Sequence, residues 1–310
     1  MTQMEMTTTK DLIKPRKRVI KWRAQLSAYL FLLPALVIFT LVTWLPMLQT
    51  ILYSFQTVNL VKPSEWIGFQ NYVRMFGNPI FYTTWKNTFE FILLSLLIGF
   101  MVPVLLSLMI HEMRRFKSFF RTLAYMPALV PIIVALQVWR SIYAPEGGFL
   151  NSVLKTIGLS PQLWLQDPHI VKISLVIIMT WIGAGGTILY YLASLSEIPT
   201  EIYEAAELDG FSPLQRIWFI SLPLVSSRMM ILLIMQIIAV SQTFTEPFIL
   251  TQGGPGTSTI TPVLQIYNIA FLNSDIGLAS AWSVSMLVVL AIFSIVYVRL
   301  YSRREEGDRN

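Results

Sequence analysis

Six windows free of Asp, Glu, Lys and Arg recur along the chain, at 24–61, 91–110, 122–139, 173–196, 229–245 and 276–298. Each approaches or exceeds the roughly 20 apolar residues an α-helix needs to cross about 30 Å of hydrocarbon. Five contain plain apolar runs: LFLLPALVIFTLVTWL, FILLSLLIGFMVPVLLSLMI, LVIIMTWIGAGGTILYYL, MMILLIMQIIAV and WSVSMLVVLAIFSIVYV. The third window, TLAYMPALVPIIVALQVW, carries Pro127 and Pro131. Bilayer helices tolerate proline where neighbours and water satisfy the freed backbone groups, so this window too is predicted to span. A seventh uncharged stretch, 247–274, contains TQGGPGTSTITP, whose turn chemistry predicts a loop. The expected fold is therefore an all-α integral membrane protein with six transmembrane helices.

Composition supports this. Only 13% of the 310 residues are charged against 55% apolar, where soluble domains carry about 25% charge. The absence of cysteine removes disulfides, thiolate metal sites and a cysteine nucleophile. The net charge of +6 is explained by position. Lys10, Lys14, Arg16, Lys17, Arg18, Lys21 and Arg23 precede the first window, and Arg114, Arg115, Lys117 and Arg121 follow the second. Arg216 and Arg228 follow the fourth, and Arg299, Arg303, Arg304 and Arg309 follow the sixth. The opposite side holds only Lys62, Arg74, Lys86, Arg140, Lys155 and Lys172. Cytoplasmic loops carry the Lys and Arg excess, so both termini are predicted in the cytoplasm. The basic tail then sets topology and calls for no nucleic acid. The expected organisation is a cytoplasmic tail 1–25, a transmembrane domain 26–302 and a short cytoplasmic tail 303–310. The first apolar run exceeds a signal-peptide core and lacks a small-residue cleavage site, so it is predicted to remain as an anchor.

Catalytic chemistry is scarce. His111 and His169 are the only histidines, and about 30 Å of bilayer is predicted to separate them. No G-x-x-x-x-G-K-[ST], H-E-x-x-H or strand-turn-helix G-x-S-x-G is present, so neither a phosphate loop nor a hydrolase site is expected. Glu90 and Glu246 sit at the outer ends of the second and fifth spans, and the mid-membrane positions are nearly bare. Proton-driven carriers place ionisable groups deep in their spans. The energy source is therefore expected in another subunit.

The most informative stretch is 196–224, SEIPTEIYEAAELDGFSPLQRIWFISLPL. Pro199 suits a helix start, and Glu201 and Glu204 suit the positive end of a helix dipole. Ile198, Ile202 and Ala206 fall at i, i+4 and i+8. Gly210 supplies a left-handed stop. Ser212 and Gln215 have the spacing of a capping box, with Pro213 at the first helical position. Pro223 is expected to bend or break the second helix. A helix, glycine turn and helix lying on the cytoplasmic surface are predicted. Glu197, Glu201, Glu204, Glu207 and Asp209 make it acidic, which suits either a plain solvated face or a docking surface.

Glu204-Ala205-Ala206, Gly210, Ile220 and Leu222-Pro223 together resemble the EAA loop of bacterial binding-protein-dependent ABC importer permeases. Trp66-x-Gly68-x-x-Asn71-Tyr72, Asn87-Thr88, Trp139, Gly148-x-Leu150-Asn151, Leu250-Thr251-x-Gly253-Gly254-Pro255-Gly256 and Ile266-Tyr267 resemble the maltose-type sugar permeases. The likeness covers about residues 25–300 and lacks the extra outer domain and helices of the maltose permease itself. It implies a type I ABC importer permease fold and a coupling helix seated on an ATPase. It further implies a second permease, two ATP-binding cassette subunits, an extracytoplasmic solute-binding protein and a sugar substrate. ATP would be used by the partner subunits, with no cofactor on this chain and a bacterial inner-membrane location.

Gln236, Gln242, Thr243, Thr245 and Glu246 concentrate polarity at the end of the fifth span. They suit either interhelical hydrogen bonding or the lining of a passage. Gly185 and Gly186 suit close helix packing or the same passage. The competing functions are a secondary carrier or channel without ATPases, and a membrane scaffold that transports nothing.

Overall fold

The computed structural model describes residues 22–58 and 63–307. The tail cations Lys10 to Lys21, Lys62 and Arg309 lie outside the described residues. Internal contacts divide the chain into two units, residues 1–49 and 50–310. In the first, a helix runs Trp22–Phe39, widens into a π-turn at Thr40–Trp44 and resumes at Leu45. Its described side chains, 29–49, are exposed apolar residues for the most part, the pattern of a helix bathed in lipid.

Five helices among the described residues are long and apolar enough to cross a bilayer. They are α1 (Tyr29–Tyr53), α3 (Pro79–Glu112), α7 (Val171–Ser196), α9 (Pro213–Ser241) and α11 (Ile276–Arg299). Shorter helices connect them: α2 (Gln70–Phe76), α4 (Lys117–Leu129), α5 (Ile132–Ile142), α6 (Phe149–Thr156), α8 (Thr200–Leu208) and α10 (Pro262–Leu272). A two-stranded antiparallel hairpin pairs β1 (Gln56–Thr57) with β2 (Glu65–Trp66), Gln56 opposite Trp66.

Three expectations are corrected. The third span is not one straight helix: α4 and α5 meet at 100°. Pro131 drives the residue before it out of the helical region, and Val130 is extended at φ −79°, ψ 130°. With this pair counted as one broken crossing, the total is six. The stretch 247–274 is not wholly loop, because Pro262–Leu272 is helical. Thr261 caps it, its hydroxyl accepting from the Leu264 N–H at 3.2 Å, with Pro262 at the first position.

Finally, Pro223 does not break its helix. Residues Ile217–Ser221 form a π-turn, and Leu222 N–H donates to the Ile217 carbonyl five residues back. The surface helix is therefore the first turns of α9, which continues unbroken to Ser241. The same device recurs at Thr40–Trp44 before Pro46 and at Ser95–Phe100 before Pro103. In each case the carbonyl four residues before the proline, which its ring would strike, lies inside the wider turn.

Within the second unit, α3 and α7 pack along one another. Phe91, Leu136, Tyr143, Leu175 and Ile178 form one fully buried cluster with Val240 of α9. Phe100, Val104 and Leu108 of α3 meet Tyr191 and Leu195 of α7 and Val225 of α9 in another. A third joins Met75 of α2 to Trp282 of α11.

Candidate coupling surface and passage

The helix α8 and the start of α9 build the first candidate site. Gly210 has φ +81°, with open space where a Cβ would be. Glycine is needed there for the left-handed backbone that stops α8. The predicted capping box forms: Ser212 N–H donates to Gln215 Oε1 at 2.8 Å, and Gln215 N–H to Ser212 Oγ at 3.4 Å. The reversal puts Ala205 and Ala206 beside Phe219 and Ile220 along an open groove of about 510 Å³. Ala206 is buried, whereas Glu204, Ala205 and Leu208 are exposed, Leu208 at 89%. Leu222 packs on the cluster of α3, α7 and α9, and Pro223 is exposed.

The inner face of α8 is tied to the spans. Tyr203 Oη and Ser221 Oγ share a hydrogen bond of 2.9 Å, with Ser221 fully buried. Burial pushes the Tyr203 phenol above its ordinary pKa, a rise that its bond to Ser221 opposes. Arg228 pairs with Glu197 just before α8 and also donates to the Ser194 carbonyl. Arg216 is 8% exposed and donates from Nη2 and Nε to Glu112 at 2.6 and 3.1 Å. Glu207 of α8 lies 3.7 Å from Arg216 and pairs with Arg114 as well. Sequence reasoning placed Arg216 only as a topology charge. A lone cation ahead of an apolar run was the available signal.

The polar end of α9 is less unified. Gln236 sits between two helices, since a Cβ on Gly99 of α3 would lie 2.9 Å from its Nε2 and 3.4 Å from Thr180 Oγ1 of α7. Gln242 is exposed and donates to the Ile238 carbonyl. Thr243 is buried, its carbonyl accepting from Thr261 Oγ1 at 2.7 Å. Thr245 and Glu246 are half-buried, next to the stacked Phe244 and Phe248 with centroids 5.0 Å apart. Tyr267 lies against both rings. Gly185 is a packing residue, because a Cβ there would meet the Ala124 carbonyl and Tyr125 Cα at 3.0 Å. Gly186 faces open space.

Several motif residues prove to be staples. Asn71 Nδ2 donates to the Ser54 and Gln56 carbonyls at 3.1 and 2.9 Å. Asn151 donates to the carbonyls of Ala144, Pro145 and Gln162 and accepts from Gln162 N–H and Trp164 Nε1. Among the described residues no three His, Asp or Glu side chains gather as a metal site.

Helices of this length and apolarity define a multi-pass membrane protein, and comparison with known proteins gives its family. The chain belongs to the family of binding-protein-dependent transport system inner membrane components, whose family model matches residues 16–306. It is 30% identical over 283 residues to the probable ABC transporter permease protein YurN of Bacillus subtilis, covering 90% of this chain and 97% of that one. It is 30% identical over 277 residues to the arabinooligosaccharides transport system permease protein AraP of Bacillus subtilis, covering 88% of each. A solved bacterial ABC transporter involved in the import of the acidic polysaccharide alginate matches with a TM-score of 0.80 at 26% identity. That match covers 91% of this chain and 96% of that one. The chain is thus a multi-pass transporter subunit with a type I permease fold, not an enzyme.

Proposed function

We propose that this chain is one of two permease subunits forming the passage of an ATP-driven sugar importer, with both termini in the cytoplasm of a bacterial inner membrane. An extracytoplasmic protein delivers the sugar, and two ATP-binding cassette subunits dock on α8 and hydrolyse the ATP; this chain binds no cofactor. The observation that carries the reading is the form of the EAA loop. Glu204, Ala205 and Leu208 face outward from a short helix whose other face meets three spans through Tyr203. A short helix held this way passes on a displacement that a floppy loop would absorb. The sugar assignment is supported by the names of relatives, which include arabinooligosaccharide, lactose and trehalose/maltose permeases.

The passage is assigned to the end of α9, where Gln242, Thr245 and Glu246 offer hydrogen bonds beside Phe244, Phe248 and Tyr267. Sugars are bound by this combination of polar groups and flat apolar faces. Gln236 and Thr243 are placed at its margin, Gly186 lies further along α7, and Gly185 is left out because it is packed. Reconstitution in proteoliposomes with the binding protein and ATPases tests the proposal. Uptake of a labelled sugar from a panel of arabinooligosaccharides, lactose, trehalose and maltose should require ATP. Sugar uptake without the ATPases would favour a secondary carrier instead.

A further inference from the structure

Only two spans are joined covalently to α8: α7 leads into it and α9 leads out. The second span, α3, has no such link, so any displacement of α8 must reach it through side chains. Apolar contacts from Leu108 and Tyr203 exist within one cluster, and the attraction behind them is non-directional. The directional contacts are polar: Glu207 of α8 pairs with the exposed Arg114 just past α3, and the buried one joins Arg216 to Glu112. Glu112 is the last residue of α3, and its side chain is 11% exposed against 10% for that of Arg216. Two guanidinium nitrogens converge on the single oxygen Glu112 Oε2, at 2.6 and 3.1 Å. Two charge-assisted bonds from one planar guanidinium hold that oxygen in the plane of the fork. Breaking them would leave a charge unpaired away from water. The third nitrogen, Nη1, faces Glu207 of α8 at 3.7 Å, so one guanidinium touches α3 and α8 while belonging to α9.

We propose that the Arg216–Glu112 pair is the positioning contact that carries a displacement of α8 into the second span, so that α3 moves together with α7 and α9. The proposal rests on α8 being the coupling helix. It predicts that weakening the pair leaves α9, which follows α8 in the chain, still responsive while α3 falls behind.

The chain contains no cysteine, so introduced thiols report cleanly. Met109→Cys places one on an exposed position of α3, and Ser227→Cys places another on α9. The rate of N-ethylmaleimide labelling is measured in the purified complex with its ATPase subunits, without nucleotide and after trapping with ATP and vanadate. In the otherwise unsubstituted complex both rates should change on trapping. Adding Glu112→Gln, which keeps size and hydrogen-bonding capacity, should leave the Ser227→Cys response in place. The Met109→Cys response should shrink by about fivefold or more, the low end of coupling between sites. The exchanged pair Glu112→Arg with Arg216→Glu should restore it. An unchanged Met109→Cys response in Glu112→Gln would overturn the proposal. So would a loss of both responses together in Glu112→Gln and in the exchanged pair, which marks a purely structural role. If neither thiol responds in the unsubstituted complex, the coupling-helix reading of α8 fails and takes this inference with it.

Discussion

The side-chain amide of Asn87, on α3, donates to two backbone carbonyls far along the chain, Thr257 at 2.7 Å and Ile260 at 2.9 Å. It is 3% exposed and holds the turn-rich segment before α10 against the second span. Replacing it by alanine leaves both carbonyls without this donor. Each lost partner of a buried group costs about 1–3 kcal/mol. Asn87→Ala should therefore lower the thermal unfolding midpoint of the detergent-solubilised protein, and an unchanged midpoint would contradict the staple.

Gly277 and Gly183 should respond in opposite ways to alanine. A Cβ on Gly277 would sit 2.2 Å from the Gln56 carbonyl oxygen, a backbone atom that cannot swing aside. Overpacking of this kind costs about 1–3 kcal/mol. A Cβ on Gly183 meets nothing within 4 Å, and alanine is favoured over glycine in a helix by about 0.5–1 kcal/mol. Thermal unfolding of the two variants side by side gives the comparison.

Gly210→Pro should abolish transport. Proline requires φ near −65° where the backbone holds +81°, and it removes the N–H that donates to the Glu207 carbonyl at 3.1 Å. Ala206→Glu should do the same by placing a charge at a buried position of α8. In both, solute capture by the isolated binding protein should persist. Uptake at the wild-type rate and expression level would remove the coupling role of this loop.

Tyr203 should make stability depend on alkaline pH. Its folded pKa lies above the ordinary value of about 10, so above that value the unfolded chain loses the proton first. The folded state then holds more protons, and stability falls as pH rises. Below pH 9 the slope from this residue should vanish. Melting curves between pH 8 and 11 should show a shallower alkaline decline in Tyr203→Phe than in the unsubstituted protein.

Glu246→Gln tests the passage. If the carboxylate contacts solute, the purified complex should assemble normally while sugar-stimulated ATP hydrolysis changes. Failure to assemble would instead assign Glu246 to subunit contacts and withdraw it from the passage.

Much of the fold was legible because membrane physics writes itself into composition. Charge is costly in hydrocarbon, so a window without it marks a span, and Lys172 and Arg299 fall at the ends of α7 and α11. The turn between α8 and α9 was legible for a local reason: Gly210, Ser212 and Gln215 act on backbone within a few residues. The bend at Pro131 was not, since proline is compatible with both a straight and a broken bilayer helix. Nor was the continuity of α9 through Pro223, because a π-turn at Ile217–Ser221 has no composition of its own. Arg216 and Glu112 lie 104 residues apart, and nothing local to either announces the other.

The sequence by itself determined which stretches are apolar enough to span, where the cations fall along the chain, and where α8 stops. These follow from solvation and backbone dihedrals, which act residue by residue. Only the tertiary structure decided that Gly185 is packed and Gly186 open, that Asn71, Asn87 and Asn151 are staples, and that Arg216 links three helices. Those facts depend on which atoms meet, and a one-dimensional pattern specifies the meeting only after every helix has found its neighbours.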